Sequence, residues 1–415
     1  MPDTRPRVLM LTPGPPYPWD GGSKRIHSLC RLLADRFRFS LLTFRPPAQD
    51  ITQAALDLQK QALYLDPVFE AIHWVEPEEP APARIDGIWI PPDARRFYCL
   101  RMEERLAALA GTADILHVEF ELMAIYGRRA RELGRPCILT QHDTGSLSLF
   151  NSYMREMAGW GKFARIPEWL KRRVFARRSA DWFDRIVVMS EADQNHLAGI
   201  IRRGHIQVIP TGVDLEHFHP DAGVPPASPP RLVYVGHYPH FPNEDAVLHF
   251  LRRIWPRIRA QSPHVEFHIV GSAPTPAVRR AAQGLSGVSI TDTVPDVRPQ
   301  LAAAAIFVAP LRLGCGIKGK ILEAFAMGLP VVTTRLAAAG LQAVPGRDLV
   351  VADSDADFAA SVLQLLNSPQ ARARLGSRGR EVARAAYDWR RLAGRLGDLY
   401  AGLANTSSKS DKNAA

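Results

Sequence analysis

The sequence is dominated by short runs of apolar residues, each ending at a loop that leads into a helical pattern. Residues 8–12 form the first run, and a loop rich in proline and glycine then leads to apolar residues at helical spacing in 26–33. Residues 39–44 form the next run. Runs without polar alternation indicate strands buried on both faces, and strands that alternate with helices build parallel sheets. The chain is therefore expected to be an α/β protein.

The alternation of strands and helices falls into two series. Expected strands are residues 115–118, 137–140, 186–189 and 207–210 in the first series, and 232–235, 265–270, 288–290, 306–308 and 330–334 in the second. A proline-rich stretch ending at Pro230 separates them and is typical of a linker between domains. The pattern in residues 50–92 favours neither helix nor strand. Two doubly wound domains are expected to face a central cleft, with ligands outside the carboxyl ends of the strands.

Composition limits the classes of function. The 415 residues include four cysteines, Cys30, Cys99, Cys137 and Cys315, and none of their spacings is that of a metal site. No window approaches the roughly 20 apolar residues of a membrane span, and no signal peptide is recognisable, so we expect a cytoplasmic protein. The net charge of +10 is compatible with phosphorylated ligands, nucleic acid or an anionic membrane. No nucleic-acid-binding motif is present, so we expect no nucleic-acid partner.

Three segments resemble motifs of the family 4 glycosyltransferases. They are the loop at residues 15–25, the segment Val-Ile-Pro-Thr-Gly-Val-Asp at 208–214, and the long segment at 310–334. The chain resembles bacterial sugar transferases of exopolysaccharide pathways. The resemblance implies the GT-B fold, with two Rossmann-like domains. These would be an acceptor-side domain at 1–215, a donor-side domain at 216–385, a helix at 386–403 that crosses back to the N-terminal domain, and a disordered tail at 404–415.

The resemblance also implies an activity. It is the transfer of a sugar, with retention of anomeric configuration, from a nucleotide-sugar donor to a glycan or lipid-linked acceptor. Such an enzyme needs no metal and no cofactor. Two alternatives share the architecture: a non-hydrolysing nucleotide-sugar epimerase, and a nucleotide-sugar binding protein without catalysis.

A departing nucleoside diphosphate gathers negative charge, which cations and the amides at a helix N-terminus can offset. Lys318 and Lys320, at the start of an expected helix, are the candidate cations, and Glu323 would bind the ribose. A salt bridge between Lys320 and Glu323, three residues apart, is the alternative. By the resemblance, the remaining donor-binding residues are Gly21, Gly22, Gly236, His237, Gly314, Cys315, Gly316 and Ile317. His142, which follows an expected strand, is the third candidate catalytic residue, with a structural histidine as its alternative.

Two positions depart from the family pattern. Cys315 stands eight residues before Glu323, where the family usually has a second glutamate, and His237 lies where many members carry arginine or lysine. A thiol cannot accept hydrogen bonds from sugar hydroxyls as a carboxylate does. The loop amides are therefore expected to contact the sugar.

A stretch rich in basic and aromatic residues, 160–185, contains Lys-Arg-Arg at 171–173 and Arg177–Arg178. Such a surface can rest on an anionic bilayer, which would place the enzyme peripherally on the inner face of the membrane. An ordinary helix with a solvated face is the alternative.

Overall fold

The computed structural model describes residues 3–18, 21–46, 51–77, 90–142, 166–220, 227–314 and 316–414. The chain divides into two compact units. Unit 1 consists of Met1–Thr211 together with Trp389–Ala415, and unit 2 is Gly212–Asp388. The divisions lie within a few residues of the expected positions 215/216 and 385/386.

Unit 1 is built on a parallel sheet that has seven strands among the residues described. The strands are β1 (Arg7–Thr12), β2 (Arg38–Phe44), β3 (Ala71–Val75), β4 (Ile115–Glu119), β5 (Cys137–Gln141), β6 (Arg185–Val188) and β7 (Ile206–Val208). Their order is β3-β2-β1-β4-β5-β6-β7. The central strands are buried almost completely, as the unbroken apolar runs predict: Leu9 and Val118 are at most 2% exposed.

Helices connect these strands. They are α1 (Gly21–Leu33), α2 (Ile51–Lys60), α3 (Pro92–Arg96), α4 (Leu100–Ala110), α5 (Gly127–Glu132), α6 (Ile166–Ala180) and α7 (Glu191–Ala198). A π-helical turn, Gln61–Leu65, continues α2, and short 3₁₀ turns occupy Glu121–Tyr126 and Arg203–His205.

Unit 2 repeats the pattern with a parallel sheet of six strands in its described part. The strands are β8 (Arg231–His237), β9 (Glu266–Ser272), β10 (Val288–Ile290), β11 (Ile306–Ala309), β12 (Val331–Thr333) and β13 (Val350–Val351), in the order β10-β9-β8-β11-β12-β13. Its helices are α8 (Phe241–His249), α9 (Trp255–Gln261), α10 (Pro276–Ala282), α11 (Arg298–Ala302), α12 (Gly319–Ala326), α13 (Arg335–Ala338), α14 (Asp355–Leu366) and α15 (Pro369–Ala386). A π-helical turn, Phe250–Ile254, joins α8 to α9.

The first part of the expected linker is packed against unit 2. The Val213 amide donates to the Tyr387 carbonyl at 2.8 Å, and Phe218, which is 4% exposed, lies in the core of that unit. An apolar side chain buried to this degree stabilises the fold by about 1.5–3 kcal/mol, so the segment is held in place. Residues 221–226 lie outside the described part.

The last helix, α16 (Trp389–Ala414), belongs to unit 1. Its apolar face, which includes Trp389, Leu396 and Tyr400, joins the same core cluster as Leu29 of α1. The helix runs through residues 404–414, where we expected a disordered tail. Extending an existing helix costs far less than starting one, which accounts for the continuation.

Candidate functional site

The lysine at the start of α12 is held by two polar side chains of unit 2. The Lys320 ammonium donates to Asn243 Oδ1 at 2.6 Å and to Tyr234 Oη at 3.0 Å. Tyr234 Oη also donates to Asn243 Oδ1 at 2.8 Å, and Asn243 Nδ2 donates to the His237 carbonyl at 2.8 Å. The orientation of the amide is therefore fixed, with its oxygen toward Lys320.

Burial changes the ionisation of this lysine. Desolvation is the largest cause and lowers the pKa of Lys320 to about 7, while Glu323 raises it and Lys318 lowers it further. The Lys320 amine therefore loses its proton at a lower pH than an exposed lysine does. A nearby anion would favour the charged form.

The loop between β11 and α12 contains two glycines with positive φ. Gly314 and Gly316 have φ of +95° and +69°, a region that favours glycine. Lys318 Nζ donates to the Gly316 carbonyl at 3.0 Å, which holds the lysine over the loop. Amides of the first turn of α12 follow directly.

Three other candidates for donor binding lie on this segment: Ile317, Glu323 and Cys315. The half-buried Ile317 side chain packs against the core of unit 2. Glu323 is half-buried on α12, near enough to Lys320 to raise its pKa. Cys315 lies outside the described residues.

The ends of β8 and β9 lie unusually close together. A Cβ atom on Gly271, whose φ is +133°, would fall 1.8 Å from the Gly236 carbonyl oxygen. His237 follows Gly236 with an exposed side chain, and its Nδ1 is 2.7 Å from Ser272 Oγ. The His237 ring thus pairs with Ser272, whereas its carbonyl supports Asn243.

In unit 1, His142 follows β5 and contacts the carboxylate that ends β4. His142 Nε2 is 2.7 Å from Glu119 Oε2. The Phe120 ring stacks on the imidazole with centroids 4.1 Å apart and an interplanar angle of 19°. Phe120 has φ of +74°, which is strained for a bulky residue and costs of order 1–3 kcal/mol. Strained residues of this kind cluster at functional sites.

Gly22 is placed against the same pair of rings. A Cβ atom there would lie 2.8 Å from Phe120 Cζ and 3.3 Å from His142 Nδ1. Around Gly21, by contrast, a Cβ atom would meet nothing within 4 Å. The packing of Phe120 and His142 therefore accounts for the glycine at position 22 without reference to a phosphate.

The carboxylate beneath His142 belongs to a buried polar cluster. Glu119 is 1% exposed and Arg25 is fully buried, with 3.8 Å between Arg25 Nη1 and Glu119 Oε1. His117 Nε2 is 3.4 Å from the same carboxylate oxygen. Burial is the largest cause of a pKa of His117 lowered to about 4. It also raises the pKa of Glu119, but the cations and histidines around Glu119 lower it below its ordinary value.

The predicted residues thus form two groups, one in each unit. The structure brings together Lys318, Lys320, Glu323, Gly314, Gly316, Ile317, Gly236 and His237 at the carboxyl edge of the unit 2 sheet, and Gly21, Gly22 and His142 at that of unit 1. Sequence reasoning missed Asn243 and Tyr234 in the first group, and Glu119 and Arg25 in the second. A carboxylate at the end of a short strand that also contains His117 was the available signal for Glu119.

The described residues contain no group of three or more histidine, cysteine or acidic side chains able to hold a metal ion. Nor, within the same described ranges, does any helix have the length and apolar character needed to cross a membrane.

Two family models match the chain in order. Residues 19–217 match glycosyltransferase family 4, and residues 229–368 match glycosyl transferases group 1.

Two curated relatives are similar over part of their length. A GDP-mannose-dependent monoacylated alpha-(1-6)-phosphatidylinositol monomannoside mannosyltransferase of Corynebacterium glutamicum is 32% identical over 160 residues, 36% of this chain and 42% of that protein. A GDP-mannose-dependent alpha-(1-6)-phosphatidylinositol monomannoside mannosyltransferase of Mycolicibacterium smegmatis is 28% identical over 219 residues, 48% of this chain and 56% of that protein. The chain thus spans about half the length of the curated relatives it matches.

Solved structures confirm the predicted GT-B fold. A sucrose-phosphate synthase of Thermosynechococcus elongatus superposes with a TM-score of 0.71 at 18% identity, over 97% of this chain and 100% of that one. The Anabaena protein HepE, in complex with UDP and glucose, gives a TM-score of 0.65 at 14% identity, over 96% of this chain and 100% of that one. Because the two family models match both units in order, and the fold agrees, the chain belongs to the family 4, group 1 glycosyltransferases.

Proposed function

We propose that the protein transfers a sugar from a nucleotide-sugar donor to a glycan or lipid-linked acceptor, with retention of anomeric configuration and without a metal or other cofactor. The observation that carries this proposal is the Lys320 site. A desolvated lysine held by Asn243 and Tyr234 stands at a helix start, beside a glycine loop. That arrangement is suited to a diphosphate leaving group.

Different residues contact different parts of the donor. Lys320 and Lys318 offset charge on the diphosphate, together with the backbone amides of Gly314, Gly316 and Ile317. Glu323 accepts hydrogen bonds from the ribose hydroxyls. His142 in unit 1 contacts the transferred sugar. GDP-mannose is the first donor to test because the curated relatives are named as GDP-mannose-dependent.

The acceptor is proposed to be lipid-linked, in an exopolysaccharide pathway, and reached from the cytoplasmic face of the membrane. Helix α6 supports this in part, since Ile166 and Leu170 are 41% and 46% exposed and Arg177 and Arg178 are exposed farther along it. An apolar and basic surface of this kind suits an anionic bilayer. Residues 160–165 of the basic stretch lie outside the described part.

The basic triplet at 171–173 does not form one surface. Arg172 is only 7% exposed and lies 3.5 Å from Glu168, one turn earlier. The Arg173 guanidinium lies 5.0 Å from the centre of the Trp169 ring. Membrane contact is therefore proposed for the exposed residues of α6 and not for Arg172.

Kinetic measurements can distinguish the roles of Lys320 and Glu323. Glu323→Gln should weaken GDP or UDP binding and raise the donor KM, because ribose contacts act in ground and transition states alike. Lys320→Ala should lower turnover more than binding, by roughly 2–4 kcal/mol of barrier in analogy with the loss of an oxyanion-hole donor. Calorimetric titration with GDP and UDP, beside turnover and melting curves, measures both effects.

Arg312→Ala is the matched control. It removes a positive charge from the same motif, but Arg312 pairs with Asp245 at 2.6 Å on the exposed surface. We expect it to bind nucleotide as the wild type does. If Lys320→Ala and Glu323→Gln both lower the melting temperature but leave nucleotide affinity unchanged, the two residues form a structural salt bridge instead.

Product analysis distinguishes the proposed transferase from its alternatives. With GDP-mannose or UDP-glucose and an acceptor extract, a transferase releases free nucleoside diphosphate and forms a glycoside whose anomeric configuration is that of the donor. An epimerase would change the sugar nucleotide without acceptor. A binding protein would leave the donor intact at any enzyme concentration.

A further inference from the structure

We propose that Glu119 is a positioning residue that holds His142 with its Nε2–H directed inward and its Nδ1 turned outward as a hydrogen-bond acceptor. This inference rests on the proposed function only in taking His142 to contact the transferred sugar. It changes what His142 can do there, because an acceptor nitrogen suits a hydroxyl group and not a phosphate oxygen.

The carboxylate decides the tautomer of His142. An ionised carboxylate can only accept hydrogen bonds, and the groups around Glu119 keep its pKa below the ordinary value despite the burial that raises it. His142 Nε2, at 2.7 Å from Glu119 Oε2, must therefore carry the proton. In the neutral imidazole the other nitrogen, Nδ1, then has a lone pair and no proton.

The ring cannot easily turn to exchange its nitrogens. Phe120 stacks on one face at 4.1 Å, and the backbone of Gly22 passes so close that a Cβ atom there would lie 3.3 Å from Nδ1. The His142 side chain is 12% exposed, so it is mostly buried but still accessible to a ligand.

The other side of the carboxylate is occupied by two further donors. Arg25 Nη1 lies 3.8 Å and His117 Nε2 lies 3.4 Å from Glu119 Oε1. The hydrogen-bond partner of His117 Nε2 is Thr140 Oγ1, at 2.7 Å. A lone pair on this nitrogen would also face Glu119 Oε1, so we assign the proton to Nε2, which then donates to Thr140. Tyr400 Oη, at 2.6 Å, then donates to His117 Nδ1. Arg25 and the Nε2–H of His117 thus lie on the Oε1 side of Glu119, whereas His142 lies on the Oε2 side.

This asymmetry gives Glu119→Gln a specific consequence. The amide has one oxygen, and Arg25 with His117 attracts it to the side of Oε1. The amide NH₂ group then faces His142 and requires an acceptor, so the imidazole must switch its proton to Nδ1. The variant is expected to keep its fold, and the proton of His142 is expected to move from Nε2 to Nδ1.

Nitrogen NMR of full-length protein labelled with ¹⁵N-histidine tests the proposal. The His142 signals are assigned by their loss in His142→Gln. In the wild type we expect the neutral imidazole to carry its proton on Nε2 and none on Nδ1, and in Glu119→Gln we expect the reverse as the major form. Tyr400→Phe is the control: it should shift the His117 signals and leave His142 in the wild-type form.

A wild-type His142 that carries its proton mainly on Nδ1 would overturn the proposal, even if Glu119→Gln did not fold. So would an unchanged tautomer in folded Glu119→Gln. These results do not depend on turnover or on nucleotide binding. Failure of the positioning role is therefore distinguishable from failure of the proposed transferase activity.

Discussion

Lys320 provides a residue-level test of the donor site through pH. Its pKa of about 7 in the free protein is set mainly by burial, and a bound diphosphate should raise that pKa. Affinity for GDP or UDP should therefore decrease as pH rises above 7, and binding near pH 8 should take up a proton. Titration calorimetry at pH 8 in buffers of different ionisation enthalpy measures this uptake.

The control for this experiment is Lys320→Met, which removes the titrating group at similar length. The variant should bind more weakly and lose most of the uptake. Equal proton uptake by the wild type and Lys320→Met would show that another group titrates.

Gly21 and Gly22 form a matched pair for a second residue-level prediction. Gly22→Ala places a methyl group 2.8 Å from Phe120 Cζ, so the ring pair must shift, at a cost of about 1–3 kcal/mol. Gly21→Ala meets open space and should cost nothing measurable. Urea denaturation gives both free energies of unfolding. A similar loss in the two variants would contradict the packing role of Gly22.

From sequence, residues that share one local motif can be proposed for a site, whereas their partners on other elements cannot. Lys320 and Glu323 share a short helix whose motif can be read directly. Asn243, which orients Lys320, lies 77 positions away in the sequence. No spacing rule joins residues on different elements, so such partners emerge only when the sheet is assembled.

At the scale of elements, the exposed arginines of α6 predict binding to anionic membranes. The variant Arg177→Glu/Arg178→Glu should bind anionic liposomes at least roughly tenfold more weakly, since each basic residue near such a surface contributes about 1 kcal/mol. Sedimentation with phosphatidylserine vesicles at low salt measures the binding.

Arg252→Glu/Arg257→Glu is a control with the same change in net charge. Both of these arginines are exposed in unit 2, on the turn before α9 and on α9 itself. The control should bind vesicles as the wild type does. If both double variants lose binding equally, net charge and not α6 is responsible.

Elements were predictable where they are buried and ambiguous where they are not. The unbroken apolar run in β1, residues 8–11, identifies it as a central strand. By contrast, β3 lies at the sheet edge, is mostly half-buried and contains His73, so its pattern in the region 50–92 is indecisive. The two-residue edge strand β13 is too short to produce any pattern.

For the whole molecule we predict activity without a divalent ion. Lys318, Lys320 and the amides at the start of α12 can offset the charge of a departing diphosphate, which is the task a metal performs elsewhere. Turnover of GDP-mannose or UDP-glucose should survive dialysis against EDTA. Restoration of a lost activity by Mg²⁺ or Mn²⁺ alone would refute this.

The return of α16 to unit 1 has a consequence for synthesis on the ribosome. Unit 1 is discontinuous in sequence, so the surface that α16 covers stays open until all of unit 2 has been translated. At roughly 5–20 residues per second, that delay is on the order of ten seconds or more. During this delay α16 cannot cover Leu29 and Leu33, and Tyr400 cannot contact His117. The nascent chain should therefore be a client for chaperones until its last helix emerges.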